Sequence, residues 1–448
     1  MILRIACMIL FTTVSSWCLP AGFEETVWVA NGLDQSPMSM TFAPDGRLFV
    51  VQADGTVRIV KEGKLLPAPF LQVQPYASHR ERMLGLAFDP KFAENGFVYL
   101  LYQKNAPNRI SRFTVSKTNE NVCDPGSEKV ILESGIGGGG GHNGGAFGFG
   151  KDGMLYAAAE HMVRINPAAY PDIIPKDNPQ VDGAPSAAWA SGFREPFSGA
   201  MDTVTGAIVV NDVGEGGKEE ANLIHKGANY GYPTCEGSCA NPKFTNPWFE
   251  YPHSEGRCIA GGAFYYGGQF GAEYRGNYFF GDEAEGWIRR RTSDGRIQDF
   301  STGKSVIDLD VGPDGNLYAL RIPGEPPPNP WKGTITRIRN TTAPASLPSQ
   351  HASGDQEGLG PDPVSLRSCC GEGIRFRLGK NTPLTGSIRI YDRLGHQVWI
   401  GESGRGGNTL EWRRPAQASA GRVFFYVLRV LPMQGAAIEK RGRFLLQP

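Results

Sequence analysis

Three stretches hold residues whose types and spacing suit chemistry. Five consecutive glycines, Gly137 to Gly141, run into His142-Asn143-Gly144-Gly145. Glycine lets backbone approach a flat ligand without side-chain collision, and a histidine titrates where a general base must work near neutral pH. The run lacks the Lys-Ser/Thr ending of a phosphate loop, which argues against a nucleotide. The second stretch, Ser191-Gly192-Phe193-Arg194-Glu195-Pro196-Phe197, offers in Arg194 a planar fork for a carboxylate, or an ion pair with Glu195 or another acid. The third runs from Asn211 through Gly214, Glu215, Glu219 and Glu220 to Ile224, with Tyr230 beyond it. Acids flanked by glycines can present carboxylate and carbonyl oxygens to calcium, although the alternating ladder of an EF-hand is absent.

These stretches need a scaffold, and the sequence repeats one. Six segments share an apolar run, a turn with Gly or Asp-Gly, and a second apolar run. They begin at Phe42, Leu86, Phe147, Met201, Tyr274 and Leu309, with equivalent glycines at Gly46, Gly96, Gly153, Gly206, Gly276 and Gly315. Asp-Gly between alternating apolar runs signals a hairpin. A recurrence of about 40 to 70 residues, each unit supplying about four short strands, is the signature of propeller blades. The expected fold is all-β: a six-bladed β-propeller over 23–339. His142 then stands directly before the first strand of a blade, where loops gather around the central channel.

Composition bounds the rest. The 448 residues carry 45 Lys plus Arg against 45 Asp plus Glu, so there is no electrostatic footprint for nucleic acid or for an anionic membrane surface. Gly at 59 and Pro at 33 favour a turn-rich β protein over a helical one. Residues 1–22 have an early Arg4, an apolar run from Ile5 to Val14 and small residues after it, the layout of a secretory signal peptide. No other segment has the apolar length of a membrane helix, so a secreted, periplasmic or cell-surface protein is expected. In that compartment the six remaining cysteines suggest disulfides, with one bridge expected among Cys235, Cys239 and Cys258. Residues 340–363 read as a Pro/Ser/Ala/Gly-rich linker. After it, short strands within 364–448 predict a small antiparallel β-sandwich. Ile390-Tyr391-Asp392 with Gly395, Leu410-Glu411-Trp412, and Gly421 with Phe424, Phe425 and Tyr426 resemble the Ig-like module of the flagellar hook-capping protein and the C-terminal sorting domains of type IX secretion cargo. That likeness implies a sorting or anchoring role, and contact with secretion machinery or the cell surface.

The propeller segments RMLGLAFDPKFAENGFVYLLY (82–102), HNGGAFGFGKDGMLYAA (142–158), 191–233, 249–268 and 274–288 together resemble the glucose/sorbosone dehydrogenase family. The resemblance covers about Phe23 to Arg339. It implies an enzyme binding pyrroloquinoline quinone (PQQ) at the channel mouth and oxidising a sugar or polyol, with electrons passed to an external acceptor. His142 matches the base that takes the hydroxyl proton, and Arg194 the cofactor-holding arginine. The backbone carbonyls of Gly214 and Glu215 match one calcium position, and Glu220 with the Tyr230 carbonyl matches another. Four departures stand out. Glu160 occupies the place of the Asp that orients the base. Glu195 replaces an Asn beside the cofactor. Arg80 falls near a Gln of the cofactor site. Ser305 and Ile307 stand where glucose dehydrogenases carry two arginines. The family also contains hedgehog-interacting proteins, so a propeller without cofactor, acting as a carbohydrate- or protein-binding surface module, is the alternative. A lactonase-like hydrolase would need more acids converging on the channel.

Overall fold

In a computed structural model of the chain, the described residues are 19–74, 83–103, 108–133, 144–159, 161–322 and 330–342. Strands at 364–369, 373–378, 385–391, 397–403, 409–413, 423–431 and 438–445 are described as well. The chain divides into two compact units, Met1–Pro348 and Ser349–Pro448.

The first unit is a six-bladed propeller. Its blades begin with the innermost strands Pro37–Phe42, Met83–Phe88, Phe147–Phe149, Ser198–Met201, Ile259–Tyr265 and Val306–Val311, here blades I to VI. Each pairs antiparallel with the next strand along the chain through the hairpin that carries a repeat glycine. All six of those glycines have positive φ, from +65° at Gly96 to +94° at Gly206, which explains why this residue type recurs at the turn. The turn acids are used too. Asp89, Asp152 and Asp314 each accept a hydrogen bond from a tyrosine hydroxyl of their own blade, Tyr99, Tyr156 and Tyr318, at 2.9 to 3.0 Å.

No blade has a core of its own. The buried apolar side chains form six clusters among the described residues, one at each junction of neighbouring blades. Phe49, Phe70 and Phe113 fill the junction of blades I and II, for example, and Tyr278, Phe280 and Trp287 that of IV and V. Each sheet therefore buries both faces only if the ring is complete.

Completion comes from an unlikely partner. The outermost strand of blade VI is the first of the propeller, Phe23–Leu33, which pairs with Gly333–Asn340 and so ties the two ends of the unit together. Its Glu25 is held by Arg321, whose Nε donates to Glu25 Oε1 at 2.6 Å with the guanidinium almost wholly buried. Thr336 and Ser301 hydroxyls donate to the same carboxylate at 2.6 and 2.9 Å. Arg321 Nη1 also donates to the carbonyl of Lys304 at 2.5 Å.

In the second unit the strands pair into two antiparallel sheets. One has the order Val364–Cys369, Gly373–Leu378, Thr409–Arg413. The other runs Gln397–Ser403, Thr385–Tyr391, Val423–Leu431, Ile438–Leu445. The expected signal peptide falls almost wholly on 1–18, and most of the expected linker on 343–363, both outside the described residues; so does the face-to-face packing that a sandwich requires.

Removing one partner of a buried ion pair leaves the other uncompensated, typically at 3–5 kcal/mol. Glu25→Ala should therefore destabilise the propeller by about 3 kcal/mol or more in urea unfolding. A loss of well under about 1 kcal/mol would show that the carboxylate does not hold the closure.

Candidate active site

Antiparallel blades sort their loops by end. The loops that enter innermost strands, and the loops joining second to third strands, lie at the same end of the propeller. Arg194 and Glu195 precede the innermost strand of blade IV, Ser198–Met201, and Gly214 and Glu215 join its second and third strands, Ile208–Asp212 and Lys218–Leu223. The fold thus brings together two stretches that are some twenty residues apart in sequence.

What fixes them is a buried acid that the sequence reading passed over. The carboxylate of Asp212, at the end of its strand, accepts from the backbone N–H of Arg194 (2.9 Å to Oδ2) and of Glu195 (2.6 Å to Oδ1). The Arg194 side chain returns the contact: its Nη1 donates to the carbonyls of Val213 and Gly214, both at 3.0 Å. Glu195 Oε2 lies 3.7 Å from the same nitrogen. Burial, then the charge of Glu220, push the Asp212 carboxyl well above the ordinary carboxylate range. The Arg194 and Glu195 amides pull the other way.

A second buried acid ties this loop to blade V. Glu219 accepts from the Gly214 N–H at 3.3 Å and the Ile259 N–H at 2.8 Å, and shares a 2.8 Å hydrogen bond with His253 Nε2. Burial raises its carboxyl to about 8. Next to it, Glu220 is buried, accepting from the Gly237 N–H and from Asn222 Nδ2 at 3.2 Å. Burial and the neighbouring Glu250 and Glu236 raise its pKa, against the pull of the Gly237 and Asn222 hydrogen bonds. The Tyr230 ring stacks on Phe193 with centroids 5.1 Å apart, and its hydroxyl donates to the Leu223 carbonyl at 2.6 Å. Glu215 is exposed. His142, Glu160 and Arg80 lie outside the described residues.

The family described as Glucose / Sorbosone dehydrogenase matches residues 34–324, about two thirds of the chain. The chain belongs to the glucose/sorbosone dehydrogenase family. It is 26% identical over 352 residues to aldose sugar dehydrogenase YliI of Escherichia coli, covering 68% of this chain and 91% of that one. It is also 26% identical over 313 residues to hedgehog-interacting protein of Mus musculus, spanning 57% of this chain but only 42% of the relative. Among solved structures, the PQQ-bound aldose sugar dehydrogenase of Streptomyces coelicolor superposes with a TM-score of 0.57 at 21% identity, over 72% of this chain and all of that one. At that identity the likeness shows the fold.

A family member's quinone carries three carboxylates, and the described residues fit part of that need. Arg194 Nε and Nη2 have no hydrogen-bond partner among the described residues, so one edge of the fork can take a carboxylate. Ser305 and Ile307 offer no charge at the positions noted above; both are buried. A calcium ion on the Gly214 carbonyl fits less well, because that oxygen already accepts from a guanidinium and a dication there would face it. No group of three or more His, Cys, Asp and Glu suited to a metal occurs among the described residues.

Beyond the site, the propeller axis is a channel of about 310 Å³ lined by all six innermost strands. Asp308 and Asp310 of blade VI point their carboxylates across to blade I, accepting from the Met40 and Phe42 N–H groups at 2.8 Å. Burial raises their carboxyls to about 7 and about 6. A folded-state pKa above the unfolded one contributes stability that is complete at low pH and lost as pH rises through the folded value. The stability of wild type relative to Asp308→Asn should therefore decline between about pH 4 and 7 and level off above it, as read from melting temperatures. A flat difference would mean that this carboxylate titrates normally.

Proposed function

We propose that this protein is an exported, PQQ-dependent dehydrogenase of sugars or polyols, acting at the end of the channel where Arg194 and Gly214 meet. The observation that carries the reading is Arg194 itself: backbone clamped by Asp212, one guanidinium nitrogen fixed on two carbonyls, and an open edge in a family that contains sugar dehydrogenases. Bound PQQ would supply a two-electron acceptor for the hydride of the sugar C–H. His142 is the base for the substrate hydroxyl, Glu160 its orienting acid, and Arg194, Arg80 and Glu195 the groups around the cofactor. An external acceptor removes the electrons afterwards. Calcium, where it takes part, is better served by the buried, acid-surrounded Glu220 and the Tyr230 carbonyl than by Gly214 and Glu215. The signal peptide, linker and C-terminal module extend the reading to an exported protein sorted or anchored through its last 85 or so residues.

A second reading rests on one specific contact. Glu195 Oε2, 3.7 Å from Arg194, competes for the cation that a polycarboxylate needs, and favours a propeller that binds carbohydrate or protein without a cofactor.

Calorimetric titration with PQQ, in calcium and again in chelator, separates them. Binding by wild type, tightened about tenfold in Glu195→Gln by removal of a unit charge about 4 Å away, supports the dehydrogenase. His142→Ala should keep the cofactor and lose aldose oxidation with a dye acceptor, by a factor of about 100 or more. No binding by either wild type or Glu195→Gln would leave the binding propeller.

A further inference from the structure

The loop that presents Gly214 and Glu215 is not held by its own blade strands alone. The carboxylate of Glu236 accepts from the backbone N–H groups of Gly217 at 2.7 Å, Lys218 at 2.8 Å and Gly216 at 3.3 Å. Successive amides converging on one anion form a nest, a fixed concavity of positive partial charge. The turn is tight enough to demand glycine at 214, where a Cβ would stand 1.8 Å from the Lys218 carbonyl oxygen and 2.6 Å from Glu236 Oε1. Burial opposes ionisation of Glu236, but the loop amides outweigh it and hold its carboxyl below the usual range.

Glu236 itself sits inside a five-residue ring closed by the disulfide Cys235–Cys239. The same ring sends the Gly237 N–H to the buried Glu220 and the Ser238 N–H to Glu250 at 2.5 Å. Glu250 in turn pairs with Lys218 of the site loop. Three consecutive ring residues thus contact the acids and amides of the candidate site. A ring this small leaves its backbone little freedom while the S–S bond is closed.

We propose that the Cys235–Cys239 disulfide is a redox latch on the candidate site, and that Glu236 is the positioning residue through which it acts. With the bond closed, Glu236 is carried to the 216–218 amides and the Gly214–Glu215 turn is set. Two-electron reduction by a dithiol breaks the S–S bond and takes up two protons to give two thiols, while the dithiol becomes a disulfide. The ring then opens, and Glu236 and the Gly237 N–H lose their fixed approach. The site is completed only where the disulfide forms, which is outside the reducing cytoplasm. The effect on turnover rests on the dehydrogenase reading; the effect on the loop does not.

Hydrogen exchange of the full-length protein, oxidised and after dithiothreitol, tests the latch at the 214–218 amides. Exchange there should accelerate by about tenfold or more on reduction while the innermost strands of the blades stay protected. The Cys235→Ser/Cys239→Ser double variant should show the same acceleration without reductant and no further change with it, which excludes reduction elsewhere in the chain. Glu236→Ala should match it with the disulfide intact. Under the dehydrogenase reading, all three should lower kcat for aldose oxidation by about tenfold or more, since displacements near 1 Å can cost about a hundredfold. Unchanged exchange at 214–218 in the double variant would overturn the latch, whatever the activity. Accelerated exchange in a protein whose oxidised wild type binds no PQQ would keep the latch and remove the dehydrogenase.

Discussion

Everything in the propeller depends on closing a ring, and the ring closes through one strand. Each blade buries its faces only against its neighbours, so the six apolar clusters stand or fall together. The strand Phe23–Leu33 supplies the last hydrogen-bonded edge of blade VI from the opposite end of the unit. Joining chain ends some three hundred residues apart has an entropic cost that grows only logarithmically with length, so it can be met locally by a ladder of backbone pairs. The Glu25–Arg321 pair then ties that strand to its edge, with the Thr336 and Ser301 hydroxyls donating to the same carboxylate. The channel and its mouth exist only as consequences of that closure.

Where the sheet ladders stop, carboxylates take over. Asp308 and Asp310 bridge blades VI and I by accepting amides that have no strand partner. Asp212 does the same for Arg194 and Glu195, Glu219 for Gly214 and Ile259, and Glu236 for the 216–218 turn. Burying an acid is costly unless its oxygens are hydrogen-bonded, and backbone amides are the donors most densely available at strand ends. The arrangement holds the described loops of blade IV at this end largely through backbone amides. It also gathers these acids around Arg194 among the described loops of blade IV, with Lys218 paired to Glu250 beside them.

The propeller was legible because its repeat has a backbone cause: Gly46, Gly96, Gly153, Gly206, Gly276 and Gly315 all occupy left-handed conformations that other residues adopt reluctantly. The family resemblance rested on the same segments and on the stretches around Arg194 and Gly214. The closing strand was not legible as such, since FEETVWVANGL belongs to no repeat and its partner lies at the far end of the unit. Nor could the acids between 211 and 250 be ranked. Asp212, Glu219 and Glu236 differ from exposed Glu215 in which amides they reach, and that is a tertiary fact with no local signal. One bridge among Cys235, Cys239 and Cys258 was expected; the structure pairs the first two and leaves Cys258 free, set among acids at the start of blade V.

The scaffold does not decide between a dehydrogenase and a binding propeller, because both keep the ring, the channel and the clamp on Arg194. Charge beside Arg194 bears on the choice between them. An Asn beside Arg194 would leave the guanidinium free to face an anion. Glu195 places a carboxylate 3.7 Å away, an interaction worth about 1 kcal/mol in water and several times that at the reduced dielectric of a half-buried site. That is enough to weaken a carboxylate ligand by one or more powers of ten, and not enough to disturb the fold. Asp212, meanwhile, holds the backbone of the same arginine in the same place for either reading.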